Sequence, residues 1–277
     1  MVRPLRRITG ASALAVCTVC AVLATTTQLQ GCAGAAAPLR LTQPVVLLGE
    51  VHDNAAQHAL RLAAYRALLA AGARPVLALE QIDRERQGEL DALLARRPPP
   101  SAAALVAAVG GTGWDWSFYT PFISLAIEYR LPIVAANVGR DEAQRVMREG
   151  LAAGGFDAAV PERLLATQAG DIQASHCGTL AAADARRMAL AQIARDQFMA
   201  RVLEQHAARG VVLLAGDGHV RTDIGVPYWL AAATRARSES IGFVEAGNDD
   251  APYDRRVVTA PQPRADPCEA LRTPARS

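Results

Sequence analysis

The stretch Val45–Asn54 reads VVLLGEVHDN, and Val211–Val220 reads VVLLAGDGHV. Each runs four apolar residues into a glycine, an acid, one further residue and a histidine, and the copies start 166 positions apart (211 − 45). A short continuous apolar run between Pro44 and Gly49 fits a strand buried on both faces, as in a parallel sheet. Glu50 and His52 lie two apart at the strand's end, so an extended backbone sends both side chains the same way. Gly49 allows a turn that a larger residue would resist, and Asp217 and His219 repeat the spacing after the second run.

Working outward, Asp53 and Asn54 supply N-cap chemistry for a helix that Gly72 terminates. PVLALE (Pro75–Glu80) predicts a second strand, LPIVAANV ending near Asn137 a third, VVLL (Val211–Leu214) a fourth and SIGFVEA (Ser240–Ala246) a fifth. Between them the spacing predicts helices over Arg84–Leu94, Ser101–Val109, up to Tyr129, Asp141–Glu149, Leu180–Ala208 and Val226–Arg237. Residues 150–180 carry no clear period, and the Pro-, Asp- and Arg-rich tail from Gly247 reads as irregular. Alternating strands and helices indicate an α/β protein, a three-layer α/β/α sandwich with a mostly parallel sheet. In such sheets ligands collect beyond the carboxyl ends of the strands, which is where both acid–histidine pairs fall.

Glu80 ends the second strand directly after VLAL, so four strands deliver polar groups to one edge. Carboxylates there need cations, hydrogen-bond donors or a metal, and His52, His219, Arg140 and Arg195 are the available partners. Glu50, His52, Glu80 and His219 are therefore the catalytic candidates if the chain is a hydrolase. With Asp217 they are also the candidate ligands for a divalent metal ion. No HExxH helix, serine nucleophile elbow or GxGxxG loop accompanies them.

The first 31 residues read as an export signal, with MVRPLRR as the positive region and a weakly apolar run behind it. Leu29-Gln30-Gly31-Cys32 resembles a bacterial lipobox, which makes Cys32 the acylated residue and Ala33–Gln43 a tether. The domain then covers residues 44–246, with 247–277 as its tail. Ala33 after the cysteine makes the outer membrane the expected location. Removing Arg3, Arg6 and Arg7 takes the net charge from +2 to −1, so a basic surface for nucleic acid is not supported. Export leaves Cys177 and Cys268 as an even pair in an oxidising compartment; a bridge between them would close a loop of 91 residues (268 − 177).

The stretches LLGEVHDNAAQH, PVLALEQ, WDWSFYTPF, PIVAANVGR, RDQFMA and LLAGDGHVRTDIGVP resemble, in order, the ChaN family of haem-binding lipoproteins. That family sits in a superfamily with Tiki, TraB and erythromycin esterases, and the likeness runs from Val45 to Pro227. The resemblance implies an α/β/α domain built from two related halves, haem as ligand and an association with iron uptake. It also implies an outer-membrane uptake receptor as a partner, and an open apolar slot would invite a homodimer. A haem slot needs apolar walls and one axial donor, for which Tyr119, Tyr228 and Trp116 are the candidate residues. In the esterase and Tiki branches, the residues matching Glu50, His52, Glu80 and His219 look like a catalytic or metal-binding set, which keeps a hydrolase as the second expectation.

Overall fold

Six strands form one sheet in the computed structural model, which describes residues 39–247, 250–266 and 268–269. The leader, Cys32 and most of the tether lie outside the described residues. The strands are β1 (Val45–Glu50), β2 (Val76–Asp83), β3 (Ile133–Asn137), β4 (Val211–Gly216), β5 (Ser238–Glu245) and β6 (Arg255–Thr259), arranged β3-β2-β4-β1-β5-β6. Every pairing is parallel. The two VVLL runs are neighbours in register, Val45 opposite Val211 through Glu50 opposite Gly216, so the sequence offset of 166 is also the pairing offset. Both strands are buried along their whole length, as continuous apolar runs demand.

Side-chain alternation sorts the strands into two cores. Val46, Leu48, Leu77, Leu79, Val212 and Leu214 face one side. There they meet α1 (Ala55–Ala70), α2 (Gln87–Leu94), α3 (Ala102–Val109) and α4 (Thr120–Glu128). Val45, Leu47, Val76, Ala78, Val211 and Leu213 face the other, against α7 (Ala182–His206) and α8 (Val226–Trp229). On that second side α5 (Arg140–Glu149) and α6 (Glu162–Ser175) pack against α7, completing the three-layer sandwich. Among the described residues the hydrophobic clusters lie between Leu39 and Val257.

Three expectations change. The single helix over 226–237 is two short ones, α8 and α9 (Ala232–Arg235), because Leu230 and Ala231 adopt extended backbone. Residues 150–180 hold a full helix, α6, of 14 residues. The tail is not irregular throughout: Arg255–Thr259 joins β5 as the parallel edge strand β6. Beyond β6, Arg264 forks between Asp53 and Glu245 at 2.5–2.7 Å, and Cys268 is bonded to Cys177 just past the end of α6. In the chain-entropy picture, a loop of 91 residues closed this way is stabilised by about 4–5 kcal/mol. Among the described residues no helix is long and apolar enough to cross a membrane.

Candidate functional site

Strand pleating aims Glu50 and Glu80 at opposite faces of the sheet, and each builds a separate polar network. Glu50 follows Val46 and Leu48 toward α1 and α4. Its carboxylate touches the Arg61 guanidinium and accepts the Tyr119 hydroxyl at 2.7 Å, with all three side chains buried. Burial pulls Arg61 down to about 10, so it stays charged at neutral pH. The same carboxylate faces His52 Nδ1 at 2.9 Å. A carboxylate only accepts, so Nδ1 carries the proton and the neutral ring has its lone pair on Nε2.

Unlike Glu50, His52 sits at the mouth, with its side chain 53% exposed and its ring edge-on to Trp114 at 4.8 Å between centroids. His58 accounts for the loop itself: its Nε2 meets the His52 carbonyl at 3.0 Å and its ring stacks on Phe118 at 4.2 Å.

Glu80 follows Val76 and Ala78 toward α7. Its Oε2 accepts the Gly216 N–H at 2.7 Å and its Oε1 lies 3.4 Å from His219 Nε2. The other His219 nitrogen, Nδ1, is 2.6 Å from Asp196 Oδ1, and Gln168 donates to Asp196 Oδ2 at 3.0 Å. Burial alone would lower His219, but the Glu80 and Asp196 carboxylates outweigh it and lift the imidazole to about 10. Burial would likewise raise Glu80, but the His219 charge chiefly, with His52 and the Gly216 N–H, holds it at about 2. Asp196 goes the other way, raised because burial outweighs its partners. His219 is thus an imidazolium clamped between two acids.

The two networks meet above Gly216. A Cβ there would lie 2.9 Å from His52 Cε1 and 3.2 Å from Nε2, so the ring edge passes directly over the bare backbone. Gly49 serves the neighbouring strand in the same way, since a Cβ would fall 2.2 Å from Val220 Cγ2 and 2.9 Å from the Asp217 Cα. Two clefts open from this point and share His52. One, of about 670 Å³, is walled by Trp114, Phe118 and the Gly111–Gly113 loop, with Arg140 and Arg195 on its far side. The other, of about 570 Å³, is polar and runs past His219, Asp217 and Arg221 to α6.

Glu50, His52, Glu80 and His219 therefore come together, with Tyr119 beneath Glu50 and Asp217 on the wall of the second cleft, while Tyr228 and Trp116 lie outside both clefts. Asp217 is not the acid partner of His219; Asp196 takes that place from α7. Asp196 occupies the buried stripe Ala189, Ile193, Asp196, Ala200, Leu203, and an acid at that helical position is the signal that marks it. The five-residue metal set is not gathered: among the described residues no three His, Cys, Asp or Glu side chains are placed to hold an ion. Glu50 is spent on Arg61 and Tyr119, and Glu80 on His219 and a backbone N–H. Tyr119 is fully buried beneath Glu50, with its phenol pushed up by desolvation, and does not line either cleft. Tyr228 lies on α8 against Trp229, outside both clefts, and Trp116 supports the loop by donating to the Gly111 carbonyl at 3.0 Å.

Comparison with known proteins agrees with this architecture. A comparison with curated protein sequences gives no match. Among solved structures, ChaN of Campylobacter jejuni, described by its cofacial haem binding, superimposes with a TM-score of 0.65 at 22% identity. That match covers 77% of this chain and 86% of the other. An erythromycin esterase, EreC, in its open conformation gives a TM-score of 0.42 at 14% identity, over 74% of this chain and 71% of that one. The family described as haem-binding uptake, Tiki superfamily, ChaN matches residues 40–230, the span that carries β1 to β4 and every residue of the two networks. By that match this chain belongs to the ChaN haem-binding uptake family.

Proposed function

We propose that this chain is a lipid-anchored haem-binding protein of the bacterial envelope, tied through Cys32 to the outer membrane and acting beside an uptake receptor. The supporting observation is His52: Glu50 holds its Nδ1, Trp114 packs against its ring, and the half-exposed side chain lines both clefts. A metal-ligating imidazole is commonly held this way, by a carboxylate on its other nitrogen. The larger cleft fits a porphyrin in kind, with Trp114 and Phe118 as apolar walls and Arg140 and Arg195 as partners for propionates. In this reading His52 takes the axial role first sought among tyrosines, and the wide cleft mouth leaves room for a second copy of the chain.

Titrating the domain with haemin tests this. A saturable Soret shift in the parent, lost in His52→Ala and kept in Tyr228→Phe, is expected. A titration indistinguishable from that of a bland carrier protein rules the reading out. A second reading, a His-based esterase or peptidase, draws on one observation: the fixed cation of His219 shares the polar cleft with His52. A base beside a positive hydrogen-bond donor is the pairing acyl transfer needs. Hydrolysis of ester or peptide probes that His52→Ala abolishes would favour it over haem carriage.

A further inference from the structure

Five of the six strands, β1 to β5, are entered through an exposed arginine. Arg40 precedes β1 by five residues and Arg130 precedes β3 by three; Arg74 and Arg209 precede β2 and β4 by two, and Arg237 abuts β5. Parallel pairing puts all five on the same edge, and backbone bonds hold them near one another. The Arg237 carbonyl accepts Val45 N–H at 3.3 Å, and Arg209 Nε donates to the Arg74 carbonyl at 3.2 Å. None of the five has a carboxylate within ion-pair distance among the described residues, whereas Arg255, which opens β6, is paired with Glu239. Helix C-termini explain Arg74, which donates to the Leu69 and Ala73 carbonyls at the end of α1. Arg130, Arg209 and Arg237 likewise follow α4, α7 and α9, whereas Arg40 follows no helix among the described residues. Of the acids nearby, Glu204 is taken up by Ala231 N–H and the Thr234 hydroxyl, which leaves the exposed Glu128. At the carboxyl ends of the same strands the buried acids are paired, Glu50 with Arg61, Glu80 with His219 and Glu245 with Arg264.

We infer that the arginine-bearing amino-end face of the sheet docks on an anionic phospholipid surface and turns the cleft away from it. Charge is one argument, and the path of the chain is the other. Cys32 precedes β1 by 13 residues (45 − 32), which reach at most about 43–47 Å when fully extended. The tether joins the domain at this edge of the sheet, beside Arg40, and basic residues next to an anionic bilayer add to a lipid anchor. The orientation rests on the proposed anchor, while the docking itself is tested without it.

The test uses the chain from residue 32 with Cys32→Ser, sedimented with phosphatidylcholine vesicles with or without phosphatidylglycerol. Binding only to the anionic vesicles, falling as salt rises, is expected. The side chains of Arg40, Arg130 and Arg237 donate no hydrogen bond among the described residues, so changing all three to Gln should spare the fold. That variant should bind about 100-fold more weakly, at about 5-fold per arginine. Arg186→Gln with Arg187→Gln, near the far end of the 25-residue α7, should bind like the parent. Equal binding to neutral vesicles, salt-insensitive binding, or an unchanged triple variant overturns the inference, and the parent's salt response decides even if a variant misfolds. Haemin titration of the same proteins reads the cleft separately, since these arginines lie at the opposite edge.

Discussion

The two carboxylate networks answer the same problem, a buried anion at a strand end, in different ways. On the α1 and α4 side, Glu50 is neutralised from below by Arg61, so its imidazole is free to sit half-exposed at the mouth. On the α7 side no arginine forms an ion pair with Glu80 among the described residues, and the imidazole itself is the cation, with only 13% of its side chain exposed between Glu80 and Asp196. One histidine is therefore available to a ligand and the other is a fixed charge. Twin motifs in sequence do not imply twin roles; what lies beneath each acid decides.

That contrast is most severely tested by removing the cations. Arg61→Met leaves Glu50 buried without its charge partner, and His219→Leu leaves Glu80 and Asp196 facing one another. Each should cost about 3–5 kcal/mol in urea unfolding at neutral pH, and a loss under 1 kcal/mol would mean the ion pairs are not formed. The pH dependence is the next largest effect. A histidine raised to about 10 stabilises the fold fully below its unfolded value near 6.5 and loses that contribution as pH climbs toward 10. Glu80, held at about 2, contributes above its unfolded value near 4.5 and loses it as pH falls toward 2. The pair should thus stabilise most between about pH 4.5 and 6.5. Asp196→Asn removes one of the two anions that raise His219 and should bring the alkaline loss in about 1–2 pH units earlier, read from unfolding midpoints.

The glycines separate the two sides at smaller cost. Gly49→Ala drives a Cβ into Val220 and the Asp217 backbone and should destabilise by about 1–3 kcal/mol. Gly216→Ala crowds the half-exposed His52 ring rather than backbone, so it should cost less in stability while weakening haemin binding by displacing the ring. Smallest of all, His52→Ala should change stability by no more than about 0.5 kcal/mol while abolishing haemin binding. Equal stability losses from His52→Ala and His219→Ala would remove the distinction.

The strands and their polar ends were legible because wholly apolar runs stop abruptly at Glu50, Glu80, Asp217 and their histidines. Legibility failed where the partner comes from a helix far away in sequence. Arg61 lies in the buried stripe Gln57, His58, Arg61, Tyr65 of α1, and Asp196 in that of α7; neither sits in a run that reads as polar. The haem-binding resemblance points to Tyr119 as slot material, yet only the fold shows its hydroxyl spent on Glu50. β6 escaped because its alternating, half-exposed RRVVT pairs only at the sheet's edge, between an Asp-rich lead and a proline-rich sequel.

Imidazole nitrogen NMR at pH 8, recorded with and without the diamagnetic gallium protoporphyrin, addresses the division of roles directly. The account predicts His219 protonated on both nitrogens and unmoved by the porphyrin, and His52 protonated at Nδ1 with its Nε2 resonance shifted on binding. A neutral His219, or a porphyrin that shifts His219 and leaves His52 unchanged, would contradict it.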